Sequence, residues 1–196
     1  MIVAINVIML LLLGVPVLYF AVFALAAAVR KPQNACASQN RSFVILIPAY
    51  KSDSCIMDTA LSAAAQNYPA GKFRVLVISD SMQADTVANL RGKNIEVLEV
   101  SFENSTKAKS LAEALKYLGP KAADAVAILD ADNIVDSGFL AGIDAAMKPG
   151  TAIQAHRTAK NRDTAVAVID AASEEINNTI FRLGHNAAGL SSALIG

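Results

Sequence analysis

Two carboxylates close an apolar run: in AVAILDADNIV (125–135), Asp130 and Asp132 stand one alanine apart. Neighbouring like charges repel, and each loses hydration where the site is not fully wet. The pair is therefore either bathed in water or neutralised by something positive. A divalent cation such as Mg²⁺ or Mn²⁺, which takes hard oxygen ligands, would serve. The plainer alternative is a turn with a helix cap, since Asp and Asn favour both places.

Residues near other apolar runs favour the cation. Pro48, Ala49 and Tyr50 end one run, Asp80 ends another, and Lys107 and Lys109 open a helical stretch. An aromatic ring can stack on a nucleobase, a carboxylate can accept from a base N–H, and a lysine can neutralise phosphate. The set suits a metal-bound nucleoside diphosphate, with the metal in place of a glycine-rich phosphate cradle. No GxGxxG follows the first run and no GxxxxGK[ST] occurs, which disfavours a dinucleotide dehydrogenase or a P-loop NTPase. A nucleotidyltransferase of similar α/β shape would want a basic or glycine-rich triphosphate loop, and IPAYKSDS (47–54) lacks one.

These residues need elements to hold them. FVILIP (43–48), FRVLVIS (73–79), IEVLEV (95–100) and AVAILD (125–130) read as strands buried on both faces. Between and after them, 55–66, 82–91, 106–119 and 137–150 read as helices, with Leu111, Ala114, Leu115 and Leu118 on one stripe of the third. TAIQAHR (151–157) reads as a further strand and Thr164 to Leu183 as a long helix. Such alternation implies an α/β fold with a mostly parallel sheet covered by helices. Ligands then bind outside the carboxyl ends of the strands, where Pro48, Ala49, Tyr50, Asp80, Asp130 and Asp132 fall.

The chain has 196 residues and is 54% hydrophobic, with 17 basic and 17 acidic side chains. That balance speaks against a nucleic-acid partner. Cys36 and Cys55, and His156 and His185, show no metal-ligand spacing; the cysteines read as reduced, incidental thiols and the histidines as polar surface or site-wall residues. From Ile2 to Val29 no residue is charged. As a helix this run would span about 42 Å at roughly 1.5 Å per residue, enough to cross a bilayer with tilt. It is too long, and lacks the leading basic residues, for a signal peptide. Arg30 and Lys31 follow it, placing the downstream domain in the cytosol by the positive-inside rule. The expected organisation is a membrane anchor over 1–30, a polar linker over 31–42 and a single α/β domain from 43 to 196.

Five stretches carry a family resemblance: FVILIPAYKSD (43–53), VLVISDSM (75–82), TKAKSLAEAL (106–115), AILDADNIV (127–135) and AIQAHRTAKN (152–161). In their order and spacing they resemble glycosyltransferases of family 2 with the GT-A fold, a Rossmann-like mostly parallel sheet, and in particular the membrane-bound synthases of cellulose and hyaluronan. The resemblance implies a nucleotide-sugar donor, with a UDP-linked sugar as the expectation. It also implies a glycan or lipid-linked acceptor, inverting transfer in polysaccharide biosynthesis, and a Mg²⁺ or Mn²⁺ cofactor.

 The same resemblance assigns residues. Pro48, Ala49 and Tyr50 line the nucleoside pocket, Asp53 sits where the family often has an acidic residue near the nucleoside, and Asp80 reads the base. Asp130 contacts the nucleotide-sugar and Asp132 ligates the metal, with Asp130 beside it. Lys107 is the expected phosphate lysine, with Lys109 the alternative, and Gln154 and Arg157 lie on the strand beside the sugar pocket. A general base and a Gln-x-x-Arg-Trp motif would lie beyond Gly196, and the chain has no Trp. The expectation is therefore a C-terminally truncated enzyme that binds donor weakly and fails at transfer alone, or else a non-catalytic, membrane-anchored nucleotide-sugar-binding subunit. A single-pass protein of a bacterial inner membrane, with its catalytic domain cytosolic, is the expected setting.

Overall fold

The computed structural model describes residues 2–30, 39–93 and 95–190. It divides into two compact units, one of Ala35–Ile153 and one of Met1–Asn34 with Gln154–Gly196. The expected linker lies outside the described residues up to position 38, as does Cys36.

The first of these units is built on four parallel strands: β1 (Phe43–Tyr50), β2 (Phe73–Asp80), β3 (Glu96–Val100) and β4 (Ala125–Ile128). Their order across the sheet is β3-β2-β1-β4. Helices α2 (Ile56–Ala64), α3 (Ala84–Gly92), α4 (Lys107–Leu118) and α5 (Phe139–Ala146) make or follow the crossovers, with α1 (Ile2–Val29) belonging to the other unit. Alternate residues of β1 serve opposite faces of the sheet. Phe43, Ile45, Ile47 and Ala49 pack with Ile56, Ala60 and Ala63 of α2 and Leu140 of α5. Val44 and Leu46 pack with Leu76, Ile78 and Ala114 of α4. Burial on both faces is why β1 reads as an unbroken apolar run, and each such side chain contributes about 1.5–3 kcal/mol.

The stripe on α4 differs from the sequence reading. Ser110 and Ala114 are its buried residues, whereas Leu115 is half exposed. A buried ion pair ties the start of β1 to α5. Arg41 donates to Asp144 Oδ1 at 2.8 Å, while Asp144 Oδ2 accepts from the Asn40 N–H at 2.9 Å and the Tyr68 hydroxyl at 3.0 Å. Asp144 is fully enclosed, so these donors supply the solvation that water cannot.

In the other unit α1 is long and apolar enough to cross a membrane by length and composition. The long helical stretch expected at 164–183 appears as α6 (Ala165–Ile176) followed by a π-helical segment, Asn177–Gly184. Thr164 caps α6, its hydroxyl accepting from the Ala167 N–H at 3.1 Å. The wider turns begin where Asn178 is buried, its amide donating to the Arg157 carbonyl at 2.7 Å. Tyr19, Phe23, Phe181 and His185 form an aromatic cluster between the helical segments, closed by Tyr19 Oη and His185 Nε2 at 2.6 Å. His156 lies 3.1 Å from Glu175.

The strand expected at 151–157 does not form; that segment is irregular. Thr151 is held in a turn, donating to the Lys148 carbonyl at 2.7 Å, and Ile153 is the only large apolar side chain in TAIQAHR. A strand there would bury little apolar surface. Gln154 and Arg157 accordingly sit on no strand.

Candidate active site

All four strands run the same way, so their carboxyl ends share one edge of the sheet. Chain order runs outward from β1 through β2 to β3, and then β4 returns to the opposite side of β1. The topological switch therefore lies between β1 and β4, where open α/β sheets bind ligands. Tyr50 ends one of these strands, and Asp130 and Asp132 follow the other.

Pro48 explains why the acidic loop leaves the sheet where it does. Beyond Leu46↔Ile128 in register, the Leu129 N–H still donates to the Leu46 carbonyl at 2.9 Å. The next bond of a parallel ladder would need an N–H at residue 48, and proline has none. The chain turns instead, with the Asn133 N–H donating to the Asp130 carbonyl at 3.1 Å. This is the turn considered from sequence, but neither carboxylate caps a helix, since α5 begins only at Phe139.

Helix α2 receives the turning loop. Thr59, fully buried, donates its hydroxyl to the Ala131 carbonyl at 2.8 Å. Ser62 Oγ accepts from the Val135 N–H at 3.3 Å. Gln66 donates to the Asp136 carbonyl and accepts from the Leu140 N–H, each at 3.0 Å. Sequence reading missed all three. Their signal was a spacing of three and four residues, with Thr59 and Ser62 on the helix that also carries Ile56, Ala60 and Ala63, and Gln66 two residues past its end.

Asp132 is exposed, while Asp130 is half-buried and meets Lys107, whose Nζ lies 2.6 Å from Asp130 Oδ1. Lys109 turns elsewhere, donating to the Asn104 carbonyl at 2.6 Å. The fold thus brings Lys107 to Asp130, from the first turn of α4, whose N-cap Thr106 accepts from the Lys109 N–H.

Asp80 pairs in register with Tyr50 at the ends of β2 and β1. It is 1% exposed; Oδ1 accepts from the Ser81 hydroxyl at 3.0 Å, and Oδ2 has no hydrogen-bond partner among the described residues. An unsatisfied buried acceptor costs about 1–3 kcal/mol, and more when charged. Two residues beside it take the left-handed backbone region, Lys51 at φ 48° and Ser81 at φ 57°. Non-glycine residues held there store strain of about 1–3 kcal/mol and cluster at functional sites. Tyr50 is 53% exposed, and Lys51 Nζ lies over its ring, 5.2 Å from the centroid.

Asp53 accepts from the Gln83 N–H at 2.9 Å, joining the loop after β1 to the start of α3. That bond, aided by the Thr86 hydroxyl, holds its carboxyl below the ordinary carboxylate range. Ala49 is buried in the core cluster, so its methyl packs there and does not face an open crevice. Gln154 and Arg157 belong to the other unit.

Among the described residues, no three His, Cys, Asp or Glu side chains converge as a metal-holding cluster. Asp130 and Asp132 nevertheless have the chemistry that Mg²⁺ or Mn²⁺ uses when substrate phosphates and water complete its shell, since one or two carboxylates then suffice. The donor set fits the ion.

Residues 40–194 match the family described as glycosyltransferase like family 2. Among solved structures, the chain is similar to the mannosyltransferase PcManGT of Pyrobaculum calidifontis, in complex with GDP-Man and Mn²⁺. The TM-score is 0.57 and the identity 21%, over 69% of this chain and 41% of that one. It is also similar to TarS 1–349 of S. aureus in complex with UDP-GlcNAc, with TM-score 0.45 and 21% identity, over 61% of this chain and 38% of that one. The chain therefore spans about two fifths of the length of these structures. No curated protein matches it.

Proposed function

Because the chain belongs to the family 2-like glycosyltransferases, with their GT-A fold, we propose that it transfers a sugar from a nucleoside-diphosphate donor, UDP-linked by preference, to a glycan or lipid-linked acceptor. The observation that carries this reading is the buried Asp80 with its unpartnered Oδ2, on the same sheet edge as the Asp130–Lys107 pair. One end of that edge presents an acceptor for a base N–H and the other presents charge suited to a diphosphate.

In this reading Tyr50 stacks on the base and Asp80 Oδ2 accepts its N–H, which relieves the orphaned acceptor. Lys107 exchanges Asp130 for a phosphate oxygen and neutralises it. Asp132, exposed and one residue from Asp130, would hold a divalent cation, which would supply stabilisation of the charge developing on the leaving diphosphate. Transfer is inverting: the acceptor oxygen bonds to the anomeric carbon as the bond to the diphosphate breaks, and the hydroxyl proton passes to a base. With α1 in a bacterial inner membrane and the domain cytosolic, the acceptor would be met at the bilayer surface.

Calorimetry on the full chain in detergent tests this. A UDP-sugar should bind with Mn²⁺, Asp132→Ala and Asp80→Asn should each weaken binding at least tenfold, and Lys121→Ala should not. Equal binding by all variants refutes the site. Binding without transfer to any acceptor favours the non-catalytic subunit.

A further inference from the structure

Between β4 and α5 the chain carries both acidic residues of the site through a loop that the sheet does not hold. Pro48 ends the ladder at Leu129, and the loop's backbone is taken up by side chains of α2 and of Gln66 just past its end. We propose that Thr59 is the positioning residue for Asp130 and Asp132, with Ser62 and Gln66 supporting it. This inference rests on the metal-binding reading of the acidic pair.

The geometry singles out Thr59. It is fully buried, and its 2.8 Å bond goes to the carbonyl of Ala131, the residue between the two aspartates. That carbonyl belongs to the peptide between Ala131 and Asp132, so fixing it fixes the plane on which Asp132 is mounted, one residue from Asp130. The Ala131 side chain packs against the core cluster, so the loop is held from two sides. Ser62 and Gln66 then bind the loop at Val135, Asp136 and Leu140, and the Asn67 N–H donates to the Ser137 carbonyl at 2.8 Å. Lys107 also holds Asp130, but it is a charge that a phosphate would draw away, whereas the α2 bonds remain when donor binds. Partners that orient metal ligands typically change metal affinity about 10–100-fold when removed.

The test compares Thr59→Val, which keeps the shape and loses the hydroxyl, with Thr59→Ser, which keeps the hydroxyl. The full chain in detergent is titrated with Mn²⁺ alone, free ion being read by electron paramagnetic resonance, and amide exchange is followed over 130–137. Asp132→Ala reports on the metal reading itself. Asp124→Ala is the control for lost stability, because Asp124 binds the Ser42 N–H at the far end of β4. Expected are Mn²⁺ binding about tenfold or more weaker in Thr59→Val, with faster exchange in the loop. Thr59→Ser should lie within about threefold of the parent, and Asp124→Ala should bind as the parent does. Should Thr59→Val not fold, Ser62→Ala replaces it, with a smaller loss in the same direction expected. Parental Mn²⁺ affinity in Thr59→Val, or in Ser62→Ala where it stands in, while Asp132→Ala loses the ion, overturns the positioning role alone. Parental affinity in Asp132→Ala overturns the metal reading and this inference with it.

Discussion

Replacing Lys107 by Met should change two affinities in opposite directions. The Lys107 ammonium lies 2.6 Å from Asp130 Oδ1, and both side chains are about one-third exposed, at 36% and 35%. Two unit charges at about 4 Å attract by roughly 4 kcal/mol at an effective dielectric of about 20 and by roughly 1 kcal/mol in water. Solvent screening and side-chain entropy reduce the net value of such exposed pairs to about 1 kcal/mol or less. A cation that uses Asp130 must displace the ammonium against this attraction. Lys107→Met removes the competitor, so Mn²⁺ alone should bind up to about fivefold more tightly, at roughly 1.4 kcal/mol per factor of ten. With a UDP-sugar present the sign reverses. The phosphates lose a charge-assisted bond of about 1.5–3 kcal/mol, and donor affinity should fall about 10–100-fold. Paramagnetic titration of Mn²⁺ with and without donor reads both numbers. Weaker binding in both, or no change for Mn²⁺ alone, would refute the idea that lysine and metal share the carboxylate.

Other perturbations test the frame around the site. Asp144→Ala removes the buried carboxylate that faces the Arg41 guanidinium, so urea denaturation should show a loss of about 3–5 kcal/mol. Arg74→Ala, which breaks an exposed pair with Glu96 at 3.3 Å, should cost less than about 1 kcal/mol. The Asp53 carboxyl is held below its ordinary value of 3.8, chiefly by the Gln83 N–H. A depressed carboxyl stabilises the fold above its unfolded pKa and loses that contribution as pH falls through the folded one. Asp53→Ala should therefore lower the urea midpoint at pH 7, and the difference from the parent should close as pH falls below 3.8. In the other unit, a Cβ on Gly184 would collide with the Phe23 carbonyl, so Gly184→Ala should lower the melting temperature in detergent while Gly142→Ala, with open space around it, should not.

Much of the site's location was legible because local pattern and topology agree. Runs such as FVILI signal strands covered on both faces, strand–helix alternation makes the sheet parallel, and a parallel sheet collects its carboxyl ends on one edge. That suffices to gather Tyr50, Asp80, Asp130 and Asp132. Other features were misread or unseen. TAIQAHR has β-compatible residues but no strand, because pairing depends on a partner and on buried area that seven residues cannot report. Asp144 looked like any helical acid until Arg41 and Tyr68 met it from distant parts of the chain. Lys107 is the favoured lysine by sequence with Lys109 the alternative, but the contacts themselves, Lys107 to Asp130 and Lys109 to the Asn104 carbonyl, come from the fold.

The amino-acid sequence by itself determined the four strands and the helices between them, that these strands run parallel, and that α1 is long and apolar enough for a bilayer. These follow from periodicity and composition, which act over a few neighbouring residues. Only the tertiary structure decided that β4 lies beside β1, that Pro48 releases the acidic loop there, that Thr59 catches it, and that one oxygen of Asp80 finds no partner among the described residues. Each of these depends on the register between segments far apart in the chain, where a shift of one residue turns a side chain to the opposite face of the sheet.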